Sequence, residues 1–185
     1  RGWFGPDAGQ PGTTFSVRIS PGADAYRMAP INPLGAQTGG PQLWRQYARE
    51  QIPALFGLTF STGSWNQGFV VQGGHAFLLV TLSKDDMQEA HQYADHFESP
   101  SIFKWQSQNR TTQDSRHGRI IREAGSEKMP VHLFVRKTKK IGQKAAPFIY
   151  CGEVEFVDWE GEKPISVTWR LGEAVPDRIW AVVGS

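Results

Sequence analysis

The chain has a single cysteine, Cys151, so no internal disulfide framework is possible, and a structural zinc site built from Cys and His pairs is excluded. No apolar run approaches the roughly 18 residues that a membrane span needs. The start, RGWFGPDAGQPG, lacks the apolar centre and small-residue cleavage site of a signal peptide. A cytoplasmic location is therefore expected. The chain also lacks an initiator Met, so it is expected to be a piece of a larger polypeptide. Several catalytic signatures are missing too. There is no phosphate loop ending in Gly-Lys-Ser/Thr, no dinucleotide fingerprint and no GxSxG elbow.

What is present is a globular composition. Of 185 residues, 39% are hydrophobic and 12% aromatic, enough for a core. Twenty Gly and twelve Pro favour turns and short strands over long helices. The net charge of +2 conceals a strong segregation. Residues 104–150 hold eleven Lys and Arg against three Asp and Glu. The flanking stretches are acidic: residues 71–103 hold one Lys against five acids, and residues 151–185 three cations against seven acids. A basic segment of this kind suits a phosphate-bearing partner, or simply a solvated face.

Alternation and turn chemistry organise the chain. FSVRIS, residues 15–20, reads as a strand, and residues 21–41 as a turn-rich connector. Leu43, Tyr47, Ile52 and Leu55 fall near helical spacing, so residues 42–55 read as a helix that Pro53 ends. Strands are expected at 68–71, 76–82, 102–106, 131–137, 148–156 and 165–171. Within 102–106, Phe103 and Trp105 share one face. Ser83 is placed to cap a short helix through Asp85, Asp86 and Glu89. Residues 117–124 read as a short helix or strand arm, and residues 175–183 as a strand or turn. The sum is mainly β (α+β): a B3-like or related pseudobarrel of about seven short strands with two short helices. Residues 1–41 are expected to pack on a barrel formed by 42–185, making one compact domain.

Catalytic constellations are thin. Cys151 lies inside the strand run PFIYCGEVEF and reads as a buried structural thiol. His91 and His96 miss the four-residue spacing of a helical metal pair, and His75, His117 and His132 are scattered, so no metal or other cofactor is expected. Glu153, Glu155 and Lys163 offer the residue types of a metal-dependent nuclease. However, the Gly-Glu-Lys-Pro stretch reads as a hairpin turn rather than a catalytic strand.

The polar stretch FKWQSQNRTTQDSRHGR, residues 103–119, carries more information. Gln106, Gln108, Asn109 and Gln113 stand among Lys104, Arg110, Arg116 and Arg119. Such amides pair twice with an adenine edge and Arg pairs twice with guanine. Lys and the hydroxyls of Ser107, Thr111 and Thr112 suit phosphates. Trp105 completes this candidate set. Arg136, Lys137, Lys139, Lys140 and Lys144 form a second basic cluster, at a strand end and hairpin suited to backbone contact or to plain solvation. A third loop, residues 61–68, holds Trp65, Asn66 and Gln67. Trp65 either stacks on a base or caps the barrel, with the cap favoured.

Four stretches in order, FVVQGGHAFLLVTLSKDD, SPSIFKWQSQNRTTQDSRHGR, VHLFVRKTKK and FIYCGEVEFVDWEGEKPISVTWRL, resemble an uncharacterised bacterial domain. That domain follows superfamily-2 helicases, often ones fused to a phospholipase-D-type nuclease. Its motifs fall on Val80–Lys84, Phe103–Asn109, Leu133–Arg136 and Gly152–Leu171, and the resemblance covers about residues 42–180. The N-terminal residues 2–19 depart from it, and no helicase or phospholipase-D motif is present. The resemblance implies a part of a restriction or defence system. In related restriction enzymes a B3-like pseudobarrel grips the major groove with two arms. By this analogy residues 104–119 form one arm, and loop 61–68 or hairpin 137–144 the other.

The expected function is a non-catalytic double-stranded DNA-recognition domain of a restriction endonuclease or helicase. Seven Trp and eleven Phe also allow an aromatic pocket for a modified cytosine. A nuclease and a protein-docking domain are the remaining alternatives.

Overall fold

The computed structural model describes residues 39–83, 95–123 and 129–184. The strand expected at 15–20, most of the connector that follows it, and the helix expected after Ser83 lie outside the described residues.

The β-branched and aromatic runs form one eight-stranded mixed sheet, with a separate hairpin beside it. Its strands are β1 (Gln46–Tyr47), β2 (Phe69–Gln72), β3 (His75–Thr81), β4 (His96–Ser99), β5 (Ile102–Gln106), β6 (Val131–Arg136), β9 (Phe148–Glu160) and β10 (Ser166–Leu171). The hairpin is β7 (Lys140–Ile141) and β8 (Lys144–Ala145). The sheet order is β2-β3-β6-β9-β10-β5-β4, with β1 added to β9. Every pairing is antiparallel except β3 with β6. The sheet is not a closed barrel. It curls, so that the ring of Phe69 on β2 comes within 5.7 Å of Trp105 on β5.

Both faces of the curl are covered. The inner face collects Leu78, Val80, Phe103, Leu133, Val167 and Trp169 in one apolar cluster. Val70, Phe77, Leu79, Phe134, Phe148 and Tyr150 form a second cluster on the other face, covered by Tyr47, Ile52 and Trp65. Strand β6 is shared between the clusters, which is why all six residues of VHLFVR are buried. β9 is long enough to serve β6 with its first half and β10 with its second. It bends at Gly152, whose φ of 94° sits where the β6 register shifts.

Among the described residues, three short α-helices accompany the sheet: α1 (Thr62–Trp65), α2 (Arg116–Arg122) and α3 (Asp177–Val183). Among the described residues, no helix is long and apolar enough to cross a membrane.

Two segments differ from their sequence reading. Residues 42–55 are not an α-helix. Trp44 N donates to the Tyr150 carbonyl at 2.8 Å, Tyr150 N donates to the Arg45 carbonyl at 2.9 Å, and two 3-10 turns follow, Arg49–Gln51 and Pro53–Phe56. The apolar spacing there serves a cover over the sheet, and the free edge of β9 takes up the backbone groups that a helix would have paired internally. Pro53 opens the second turn, where its missing N–H costs nothing. At the other end, residues 175–183 contain the helix α3, preceded by Pro176, in place of a strand. Ile179, Trp180 and Val183 pack against the inner cluster at helical spacing.

Candidate nucleic-acid interface

Strand β5 delivers the polar stretch. Phe103 and Trp105 point into the core, as their alternation demands, and Lys104 and Gln106 take the other face. Beyond Gln106 the chain turns into a loop that is fastened on one side. Ser107 Oγ accepts the Ile165 N–H at 2.9 Å. Gln113 N donates to Glu162 Oε2 and Gln113 Nε2 donates to the Gly161 carbonyl, both at 3.0 Å. Lys163 N donates to the Thr111 carbonyl at 3.2 Å. The β9–β10 turn thus holds both ends of the loop. Ser115 then caps α2 by accepting the Gly118 N–H at 3.1 Å and donating to the Thr112 carbonyl at 2.6 Å.

This anchoring divides the candidate residues. Gln108, Asn109 and Arg110 stand exposed at the loop tip, and Arg116 and Arg119 are exposed on α2. Among the described residues, no side-chain hydrogen bond or ion pair engages Gln108, Asn109, Arg110 or Arg116, while Arg119 donates to the Asp114 carbonyl at 3.3 Å. The others turn inward. Ser107 and Thr111 are each 7% exposed and support the loop. Trp105 is core. Lys104 donates to Thr168 Oγ1 at 2.8 Å and pairs with Glu98 at 3.8 Å, so it is occupied on the sheet surface rather than carried to the tip. Gln106 is half-buried, and its backbone N–H is taken by Asp95 Oδ1 at 2.8 Å.

Loop 61–68 lies beside α2: Ser64 and Gln67 share a shallow cleft with Arg116, His117 and Ile120. Asn66 and Gln67 are exposed. Trp65 is fully buried, its Nε1 donating to Gln72 Oε1 at 2.8 Å, which makes it a core cap and removes it as a stacking platform. In the β7–β8 hairpin Lys139, Lys140 and Lys144 are exposed, as is Lys137 at its foot. A second cleft, between the β2–β3 side and β5, is lined by Phe69, Thr81, Asp95, Trp105, Gln106 and Gln108 among others.

Two groupings carry no signal in the sequence. His75 Nδ1 lies 3.0 Å from His132 Nε2, and His132 Nδ1 lies 3.0 Å from Tyr150 Oη, a chain assembled by the β3–β6–β9 pairing. Burial, with His75 nearby, pulls His132 down to about 3, so its ring is neutral at ordinary pH. The other grouping is Arg49 with Arg136, both over the Phe148 ring. The sequence places Arg136 among the hairpin's basic residues, but it is 8% exposed, because β6 carries it into the second apolar cluster. Cys151 is buried, and burial raises its thiol pKa far above the usual range. Glu153 and Glu155 both lie exposed on β9, with Glu155 4.0 Å from Arg170. Among the described residues, no three His, Cys, Asp or Glu side chains group closely enough to hold a metal ion.

The fold and this surface together define a mainly β domain with short helices, presenting unpaired amide and guanidinium groups on an anchored loop. Residues 42–183 match a protein family described as a domain of unknown function (DUF3427), and the chain belongs to that family. No curated protein matches the chain.

Proposed function

We propose that this chain is a double-stranded DNA-recognition module without catalysis of its own, working as part of a larger restriction endonuclease or defence helicase. The observation that carries the reading is the contrast within one loop. Its backbone is fastened by Ser107, Thr111 and Gln113, while Gln108, Asn109, Arg110 and Arg116 have their side-chain donors and acceptors unspent. Polar groups held out on a fixed backbone suit base edges, because the ordering entropy is met before binding. Asn66 and Gln67, beside α2, extend the same surface, and the hairpin lysines suit phosphates. The B3-like analogy supports assigning residues 104–119 to one arm. The test is selection of bound fragments from a random duplex pool by the full chain. Enrichment of a shared site supports the reading, and recovery of unselected sequence removes base readout.

The second cleft favours one further reading, a pocket for a modified cytosine. Phe69 and Trp105 supply aromatic walls beside the polar Gln106 and Gln108. Preference for a methylated over a plain duplex of the same sequence would select this reading over the first.

A further inference from the structure

Arg49 and Arg136 come together although 3-10 turn and strand end lie far apart in the chain. The Arg49 Cζ is 5.0 Å from the centre of the Phe148 ring and the Arg136 Cζ is 4.4 Å from it. Each guanidinium is aimed by neutral acceptors only. Arg49 Nη1 donates to the carbonyls of Trp65 and Gln67. Arg136 Nε donates to Thr81 Oγ1 at 2.8 Å, and its Nη1 to the Ala146 carbonyl at 3.2 Å. Among the described residues, neither forms an ion pair with a carboxylate. Glu50, next to Arg49 in sequence, is exposed and makes no such pair. A guanidinium has five N–H groups, so both retain unspent donors.

This arrangement is costly for a purely structural role. A partly desolvated cation is normally paired, and two like charges oppose each other. Burial and the presence of Arg49 both depress the Arg136 pKa, to about 10. Burial lowers the Arg49 pKa too, and the charge of Glu50 offsets this only in part, without forming an ion pair. The anchoring carbonyls belong to loop 61–68 and to the foot of the β7–β8 hairpin, the two elements already assigned to the interface.

We propose that Arg49 and Arg136 form an anion clamp that grips a phosphodiester of the bound duplex between loop 61–68 and the hairpin. The proposal rests on the DNA-recognition reading for its ligand, and on geometry alone for its anion chemistry. Guanidinium pairs suit phosphate because their forked donors match its oxygens.

The test measures binding of two duplexes of unrelated sequence to the full chain as a function of salt, together with the melting temperature in pyrophosphate. Arg49→Gln and Arg136→Gln are each expected to weaken both duplexes by the same factor. Each should also make the salt slope shallower by about 0.9 for every phosphate that the variant no longer neutralises. Arg49→Lys should keep most of the slope. If Arg136→Gln fails to fold, Arg49→Gln carries the test. Equal affinity and slope for the parent and Arg49→Gln overturns the clamp and leaves DNA recognition standing. If the parent binds no duplex but pyrophosphate raises its melting temperature in an Arg49-dependent way, the anion site stands and the DNA reading falls. If neither duplex nor pyrophosphate binds, both fall.

Discussion

Ser107 and Ile165 clasp each other. The Ser107 N–H donates to the Ile165 carbonyl at 2.9 Å, and the Ile165 N–H donates to the Ser107 hydroxyl at the same distance. The pair ties the end of β5 to the start of β10 at the point where the polar loop departs. Ser107→Ala would keep the first bond and leave the buried Ile165 N–H unpaired. The expected cost is about 1–3 kcal/mol, read as a lower urea midpoint with unchanged slope. A midpoint equal to the parent's would show that water replaces the hydroxyl.

Gly118, in the first turn of α2, packs tightly against the end of the same loop. A Cβ there would lie 2.3 Å from the carbonyl oxygens of both Thr112 and Gln113. Since both acceptors are backbone, nothing flexible can move aside. Gly118→Ala is expected to cost about 2–3 kcal/mol and to shift the loop that carries Gln108–Arg110. Gly63→Ala, where a Cβ meets nothing within 4 Å, is the control and should be near neutral. Chemical denaturation of the two variants checks the difference. Equal effects would mean that the loop re-forms around the new methyl group.

How much of this is readable from residues alone depends on how far apart the interacting groups lie in the chain. The inward Phe103 and Trp105 follow from strict alternation, and the hairpin from the basic cluster at the end of the strand read at 131–137. The helix expected over 42–55 is absent because its apolar spacing fits both a helix and a cover, and only the open edge of β9 decides between them. Trp65 is the cap that its surroundings favour, since a Trp among small polar residues needs somewhere to bury its ring. The His75–His132 pair spans 57 positions. The Arg49–Arg136 pair needs loop 61–68, β6 and the hairpin foot to be placed first. No local pattern encodes either.

Base readout and phosphate binding separate by substitution. Gln108→Ala and Arg110→Ala are each expected to cost about 1–3 kcal/mol on the selected site and much less on unrelated duplex. Lys140→Ala should instead weaken every duplex alike and reduce the salt slope by about 1. Fluorescence anisotropy on a selected and a scrambled duplex gives both quantities. Uniform losses for all three variants would make the loop a backbone-binding element without sequence information.

The buried histidine gives stability a pH dependence with a defined sign. His132 is 3% exposed, and burial holds its folded pKa at about 3, below the 6.5 of an unfolded chain. Between those values the unfolded chain binds the proton and the folded chain does not, so stability falls as pH drops below about 6.5 and the loss levels off near 3. The slope should approach about 1.4 kcal/mol per pH unit in that window. His132→Gln removes the titration while keeping polar atoms near His75 and Tyr150. It should lower stability at neutral pH, where the paired ring is gone, yet flatten the dependence between about pH 6.5 and 5, above the range where most carboxylates titrate. Urea unfolding of the parent and His132→Gln across that interval checks the sign. Parallel curves would mean that His132 accepts a proton in the folded state as readily as in the unfolded one.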